Sequence, residues 1–461
     1  MRGMIDPHGD PLRAAAEAAL DYVASVTERP VFPDRVAIDG LEVFDEPLPA
    51  GPSDPGETLR FLHEHGSPAT VASSGPDYYG FVTGGTHPAA LGASWLTSAW
   101  DQNAALPVMS PVSAHLHHVV RRWVVELLGL PAATELAFVT GATMASAAAI
   151  AVARDTLLAR SGWDVQARGL LGAPQIAVVV GENAHSTLRK ALGFVGLGRD
   201  SAHVVPTDAE GRLRADLLPD VAGPVLLCAQ AGEVNTGAFD PFDEIARWAA
   251  VRDAWVHVDG AFGLWALADP RRAGETRGLD RADSWATDGH KWLNVTYDCG
   301  LVLVREPGAL RRSFFATADY LPPDPDGLVE AMHISPQTSQ RARVVEVWAV
   351  LRSLGREGVA RLVAESSDHA RLIADRVAAG GLEVLNEVVL NQVLLRGRDD
   401  RATTALLDAV QRDGRMWCGP TVWHGRPAVR VSVSSWRTTA ADAERAAEVL
   451  LELAGQVGAV P

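Results

Sequence analysis

The sequence predicts an α/β fold built on a mainly parallel seven-stranded sheet, and two observations carry that prediction. Short apolar, β-branched runs recur near residues 135, 176, 201, 225, 254, 284 and 300, with helical segments between most of the earlier ones. Most of these runs end in polar or glycine-rich turns: Gly141-Ala142-Thr143, Asn183-Ala184-His185, Glu233-Val234-Asn235, Asp259-Gly260 and Asp288-Gly289-His290-Lys291. In an open α/β sheet such turns share the carboxyl edge, where ligands bind.

Taken in order, residues 11 to 27 place apolar side chains at helical spacing and read as an amphipathic helix. The Pro-, Gly- and Asp-rich stretch from Arg29 to Gly56 reads as extended loop. A second helix is expected between Ser110 and Leu130. Its His115 and His118 lie three apart, but no carboxylate or cysteine completes a metal set, so they read as solvated or packing histidines. Glu135 to Ile150 gives a strand, the tight Gly141 turn and an alanine-rich helix. A helix N-terminus there offers free N–H groups to an anion. Residues 316 to 341 are proline-rich and polar and read as a mobile loop. A helix is expected from 341 to 355. Beyond it, strands at Gly381–Asn386, Asn391–Arg396 and Ala428–Ser434 alternate with helices at 401–413 and 439–455, a small α+β unit.

The chemistry concentrates between Ala254 and Trp292. The strand Ala254-Trp255-Val256-His257-Val258 stops at Asp259. The strand Ser284 to Thr287 stops at Asp288, three residues before Lys291. A lysine amine in a partly dry site forms a Schiff base with an aldehyde. A buried carboxylate keeps a pyridine nitrogen protonated, so that the ring accepts electrons. The pair would hold pyridoxal 5'-phosphate (PLP), with Lys291 on C4' and Asp259 on the ring nitrogen.

Two motifs here resemble a family. His257-Val258-Asp259-Gly260-Ala261-Phe262-Gly263 is similar to the HVDAAYGG signature of PLP-dependent group II amino acid decarboxylases, the group of the aromatic amino acid, glutamate and histidine enzymes. Asp288-Gly289-His290-Lys291-Trp292-Leu293 is similar to that family's N-P-H-K-W-L lysine motif. The resemblance runs from about Tyr79 to Trp436. It implies a fold type I enzyme with an N-terminal arm over residues 1–90 at a homodimer interface, a PLP-binding domain over 91–355 and a small α+β domain over 356–461. It implies that Gly141, Ala142 and Thr143 grip the cofactor phosphate and that His185 stacks on the ring. Asn235, Ala261, Asp288 and His290 complete the expected cofactor contacts. Phe81 and Thr83 are expected to line the substrate pocket, where Trp423 also hints at an apolar or aromatic substrate side chain, and Arg430 is expected to bind a substrate carboxylate.

Two departures stand out. Glu233, Asn235 and Thr236 follow a strand and are expected to face the cofactor edge; the family has threonine near Glu233, so a second acid there bears on substrate choice. The family's loop tyrosine, which protonates the carbanion after carbon dioxide leaves, falls near Ala331. His333 and Tyr320 are then the nearest acids. Decarboxylation of an L-amino acid to its amine is the first expectation. Decarboxylation-dependent oxidative deamination to an aldehyde, a Cα–Cβ lyase and an aminotransferase stay open.

Composition bounds the partners. Against 57 acidic residues stand 41 basic ones, a net charge of −16, which argues against nucleic acid and anionic membranes. Three scattered cysteines, Cys228, Cys299 and Cys418, point to a reducing compartment. The first residues lack the apolar core of a signal peptide, and no run reads as a membrane span. The cytoplasm is the expected location.

Overall fold

The computed structural model describes residues 10–316 and 328–460. All seven expected strands of the large sheet are present: β2 (Glu135–Val139), β3 (Ala177–Gly181), β4 (His203–Val205), β5 (Val225–Gln230), β6 (Trp255–Asp259), β7 (Ser284–Asp288) and β8 (Gly300–Val304). Their spatial order is β2-β8-β7-β6-β5-β3-β4. Only β8 runs against its neighbours, through Glu135↔Val304 on one side and Ser284↔Val304 on the other. The other six therefore point the same way, and their carboxyl ends form one edge.

The sheet is buried on both faces, which is why its strands read as continuous apolar runs rather than alternating ones. In β5, Leu226 and Cys228 pack into the core under the helix Ala142–Arg160, while Leu227 and Ala229 pack into the core on the opposite face. The small alanines of that helix, Ala145, Ala148 and Ala149 among them, are fully buried and let it lie close to the sheet. The same alanines make it long and apolar enough to cross a bilayer by length and composition, contrary to the sequence expectation. Yet most of it is buried inside this fold, as a core helix is.

The small sheet has the order β1-β11-β12-β10-β9. Its strands are β1 (Tyr78–Tyr79), β9 (Glu383–Val384), β10 (Gln392–Arg396), β11 (Trp417–Trp423) and β12 (Arg426–Ser432). β1 comes from far upstream and pairs parallel to β11 at Trp417 and Cys418. The helix Arg343–Ala379 joins the two sheets, and its backbone breaks at Gly355 (φ 62°, ψ −176°). Another helix, Pro88–Trp100, spans the expected boundary at residue 90.

The stretch 29–56 is not wholly extended. Asp34 caps a short helix, Arg35–Asp39, by accepting the Ala37 N–H at 2.8 Å, and a 3-10 turn follows over Gly40–Phe44. In the loop expected over 316–341, residues 328–341 include a 3-10 turn, Ala331–His333, with Met332 packed on Ala105 and Leu106. Tyr320 lies outside the described residues.

Candidate active site

Turns at the carboxyl edge build one cavity of about 420 Å³, and four of them bring the expected cofactor contacts to it. The first follows β2. Strand β8 crosses directly behind it, so a Cβ on Gly300 would stand 2.5 Å from the Gly141 backbone. The close approach fixes where the helix Ala142–Arg160 begins. Gly141, Ala142 and Thr143 line the cavity, as expected. The second turn follows β3. His185 caps the helix Ser186–Phe194, its Nδ1 accepting the Thr187 N–H at 3.3 Å and lying 2.7 Å from the Thr187 hydroxyl. Its own backbone N–H donates to Gln230 Oε1 at 3.2 Å. The third turn follows β6 and carries Asp259, buried, accepting the Ala261 N–H at 3.2 Å. The fourth follows β7 and carries Asp288, His290 and Lys291.

The electrostatics are those of a half-dry pocket. Burial pushes the Asp259 carboxyl above its ordinary range, against the opposing pull of its neighbours His185 and Lys291. Burial pushes His185 the other way, below the usual imidazole value, against the pull of Asp259. Lys291 and Arg430 add to that lowering, which favours the neutral ring. His290 is also held neutral by burial. Its Nδ1 accepts the Cys299 N–H at 3.0 Å, which puts its proton on Nε2, 3.6 Å from Asp288 Oδ1. Lys291 Nζ pairs with Asp288 Oδ2 at 3.0 Å. Ala261, His290 and Lys291 all line the cavity with Asp259 and Asp288.

Other expected residues stand apart from it. The Glu233 carboxylate is consumed by its own loop, accepting the Asn235 N–H at 2.6 Å, the Thr236 N–H at 2.8 Å and the Asn235 side-chain amide at 2.9 Å. It therefore shapes the turn and does not face the cofactor edge. Asn235 is also spent, accepting from the Thr421 hydroxyl at 2.6 Å, and the loop presents Val234 to the cavity instead. Arg430 is buried behind that wall and donates to the Val234 carbonyl at 3.2 Å. Phe81 is exposed against the Trp417 ring at 5.3 Å. Thr83 is not on the cavity wall either, although its neighbour Gly84 presses on the Lys291 carbonyl, where a Cβ would stand at 1.8 Å. Trp423 packs with Leu394 and Ala428 in the small domain. His333 does not reach this cavity: it is buried beside Glu330, 3.4 Å away, and the Phe315 ring.

The structure adds residues that the sequence did not single out. Gln230 and Thr187 fix His185. Asp240 fixes Gln230 in turn, accepting its backbone N–H and that of Leu213, both at 2.7 Å. Tyr297 lines the cavity and stacks on His290 at 4.2 Å. Asp240 precedes the helix Phe242–Arg252 and Gln230 ends β5, so neither position carries a sequence signal of its place beside His185.

Residues 66–397 match the pyridoxal-dependent decarboxylase conserved domain. The chain belongs to the pyridoxal-dependent decarboxylase family. This decarboxylase is 30% identical over 374 residues to the L-2,4-diaminobutyrate decarboxylase of Rhizobium meliloti (strain 1021), covering 76% of this chain and 72% of the relative. It is 26% identical over 464 residues to tryptophan decarboxylase 1 of Oryza sativa subsp. japonica, covering 92% and 89%. Its fold matches the crystal structure of Oryza sativa TDC with PLP and tryptamine at a TM-score of 0.89 and 23% identity, over 98% of this chain and 99% of the other. It is thus a PLP-dependent amino acid decarboxylase of fold type I. The cavity fits the cofactor: its lining includes a helix N-terminus, a buried carboxylate, an amine and an imidazole.

Proposed function

We propose that the chain releases carbon dioxide from an L-amino acid to give the amine, with Lys291 as the covalent tether for PLP. The observation that carries this reading is that Asp259, His185 and Lys291 line one cavity, where burial and their neighbours shift the protonation of Asp259 and His185. Bound there, PLP supplies an electron sink for the bond broken at Cα. Asp259 would hold a proton on the pyridine nitrogen, and burial in a low-dielectric wall strengthens that contact. His185, kept neutral and fixed by Thr187 and Gln230, would lie flat against the ring. The Ala142 and Thr143 end of the helix, with His290 Nε2, would hold the phosphate.

A second reading, oxidative deamination to an aldehyde after decarboxylation, is favoured by Ala331, a side chain with no proton to give. Incubation with a panel of L-amino acids, measuring carbon dioxide, amine, aldehyde and peroxide, tests both. Amine equal to carbon dioxide is the expected result. Aldehyde and peroxide in equal amounts support the second reading, and release of no carbon dioxide from any substrate overturns both.

The working protein is proposed to be a cytoplasmic homodimer. The support is a cavity of about 740 Å³ between the N-terminal helices and Pro88–Trp100, beside the exposed Leu12, Leu20, Leu62 and Trp95. Three buried free cysteines accord with a reducing compartment. A monomeric mass by light scattering, or residence outside the cytoplasm by fractionation, would contradict these parts.

A further inference from the structure

The phosphate end of the cavity already contains an anion. Asp288 Oδ1 accepts the Ala142 N–H at 2.5 Å, the first free donor of a 19-residue helix. This helix has no side-chain cap from Gly141, so a residue distant in sequence supplies it. Asp288 Oδ2 holds Lys291 Nζ at 3.0 Å, and His290 Nε2 points at Oδ1 from 3.6 Å. Only 2% of Asp288 is exposed. One buried carboxylate therefore sits among the positive end of a helix, an imidazole N–H and an ammonium. The first two are groups that would receive a phosphoester, and the third is the group that would receive its aldehyde.

A phosphate and this carboxylate cannot both take the Ala142 N–H, and two anions at hydrogen-bond range repel in a low-dielectric wall. Lys291 must also leave Asp288 and give its proton to solvent base before its nitrogen is nucleophilic. We propose that Asp288 is an internal stand-in for the cofactor phosphate: it keeps the cofactor-free cradle formed, holds Lys291 in an ion pair, and makes loading a displacement. Cofactor binding is consequently weaker and more readily reversed than the same cradle would give with a neutral side chain. This inference rests on the assignment of Lys291 and the Gly141 turn to PLP.

The test uses the cofactor-free full chain and its Asp288→Asn variant. Tryptophan fluorescence reports PLP binding, visible absorbance reports the covalent link, and thermal unfolding reports inorganic phosphate. The variant is expected to bind PLP at least about tenfold tighter, since a charge-assisted competitor is gone. Inorganic phosphate should raise its unfolding temperature while leaving the wild type unmoved. Equal or weaker PLP binding by a folded variant overturns the proposal. The wild type alone also decides: protection by millimolar inorganic phosphate, competitive with PLP, shows an open anion site and overturns it even if the variant does not fold. If the wild type forms no PLP chromophore, the PLP assignment fails as well. A chromophore on Lys291 with unchanged affinity in the variant removes this inference alone.

Discussion

Asp259 carries a conflict between stability and chemistry. Burial raises its carboxyl, so ionising it in the folded chain costs free energy. That cost is absent below the ordinary carboxylate range, grows as pH climbs through it, and is complete above the raised value. In the cofactor-free protein, Asp259→Asn is therefore expected to unfold at a higher temperature than wild type at pH 8, with the gap closing toward pH 4. The same variant should lose roughly a hundredfold or more in turnover, because a preorganised charge at the ring nitrogen is gone. Calorimetry across pH and a steady-state assay check both; a gap that widens as pH falls would contradict the burial argument. The sequence made Asp259 and Lys291 legible because Asp259 ends an apolar run at a strand's carboxyl end and Lys291 stands in the turn just past another. It could not show Glu233 being consumed by its own loop, because that depends on a turn that folds Asn235 and Thr236 back onto the carboxylate.

Among the elements, the turn after β2 is held by contact with β8. Gly300 has no room for a side chain, whereas Gly92, in the helix Pro88–Trp100, faces open space. Gly300→Ala is expected to cost about 1–3 kcal/mol of stability by overpacking and to weaken PLP binding by displacing Gly141. Gly92→Ala should be neutral or stabilising, by up to about 1 kcal/mol. Denaturant unfolding and PLP titration of both variants check this; equal losses would contradict it. The large sheet was legible because strands buried on both faces leave apolar runs that end at chemistry-bearing turns. Strand β11 was not, because it contains Gly419 and Pro420. Pro420 is tolerated there because β1 pairs β11 only at Trp417 and Cys418, which leaves, among the described residues, no strand on that side of Pro420 to need its missing N–H. β1 was hidden because two residues carry no periodicity.

At the scale of the whole molecule, the parallel strands do the organising. Six strands pointing one way bring turns that are 150 residues apart in sequence to one cavity, and β8 alone runs backward to brace the Gly141 turn. The substrate-facing residues were less legible, because Arg430, Trp423 and Phe81 belong to the small sheet and its rim, whose placement depends on tertiary packing. The central claim is that one amine tethers the cofactor. The chain contains two lysines, Lys190 and Lys291. Lys190 is exposed on the helix Ser186–Phe194, whereas Lys291 lines the cavity. Borohydride reduction of the PLP-loaded protein followed by peptide mapping should place the pyridoxyl group on Lys291, with the chromophore lost in Lys291→Ala. A pyridoxyl group on Lys190 alone, or a chromophore that survives in Lys291→Ala, would contradict the account.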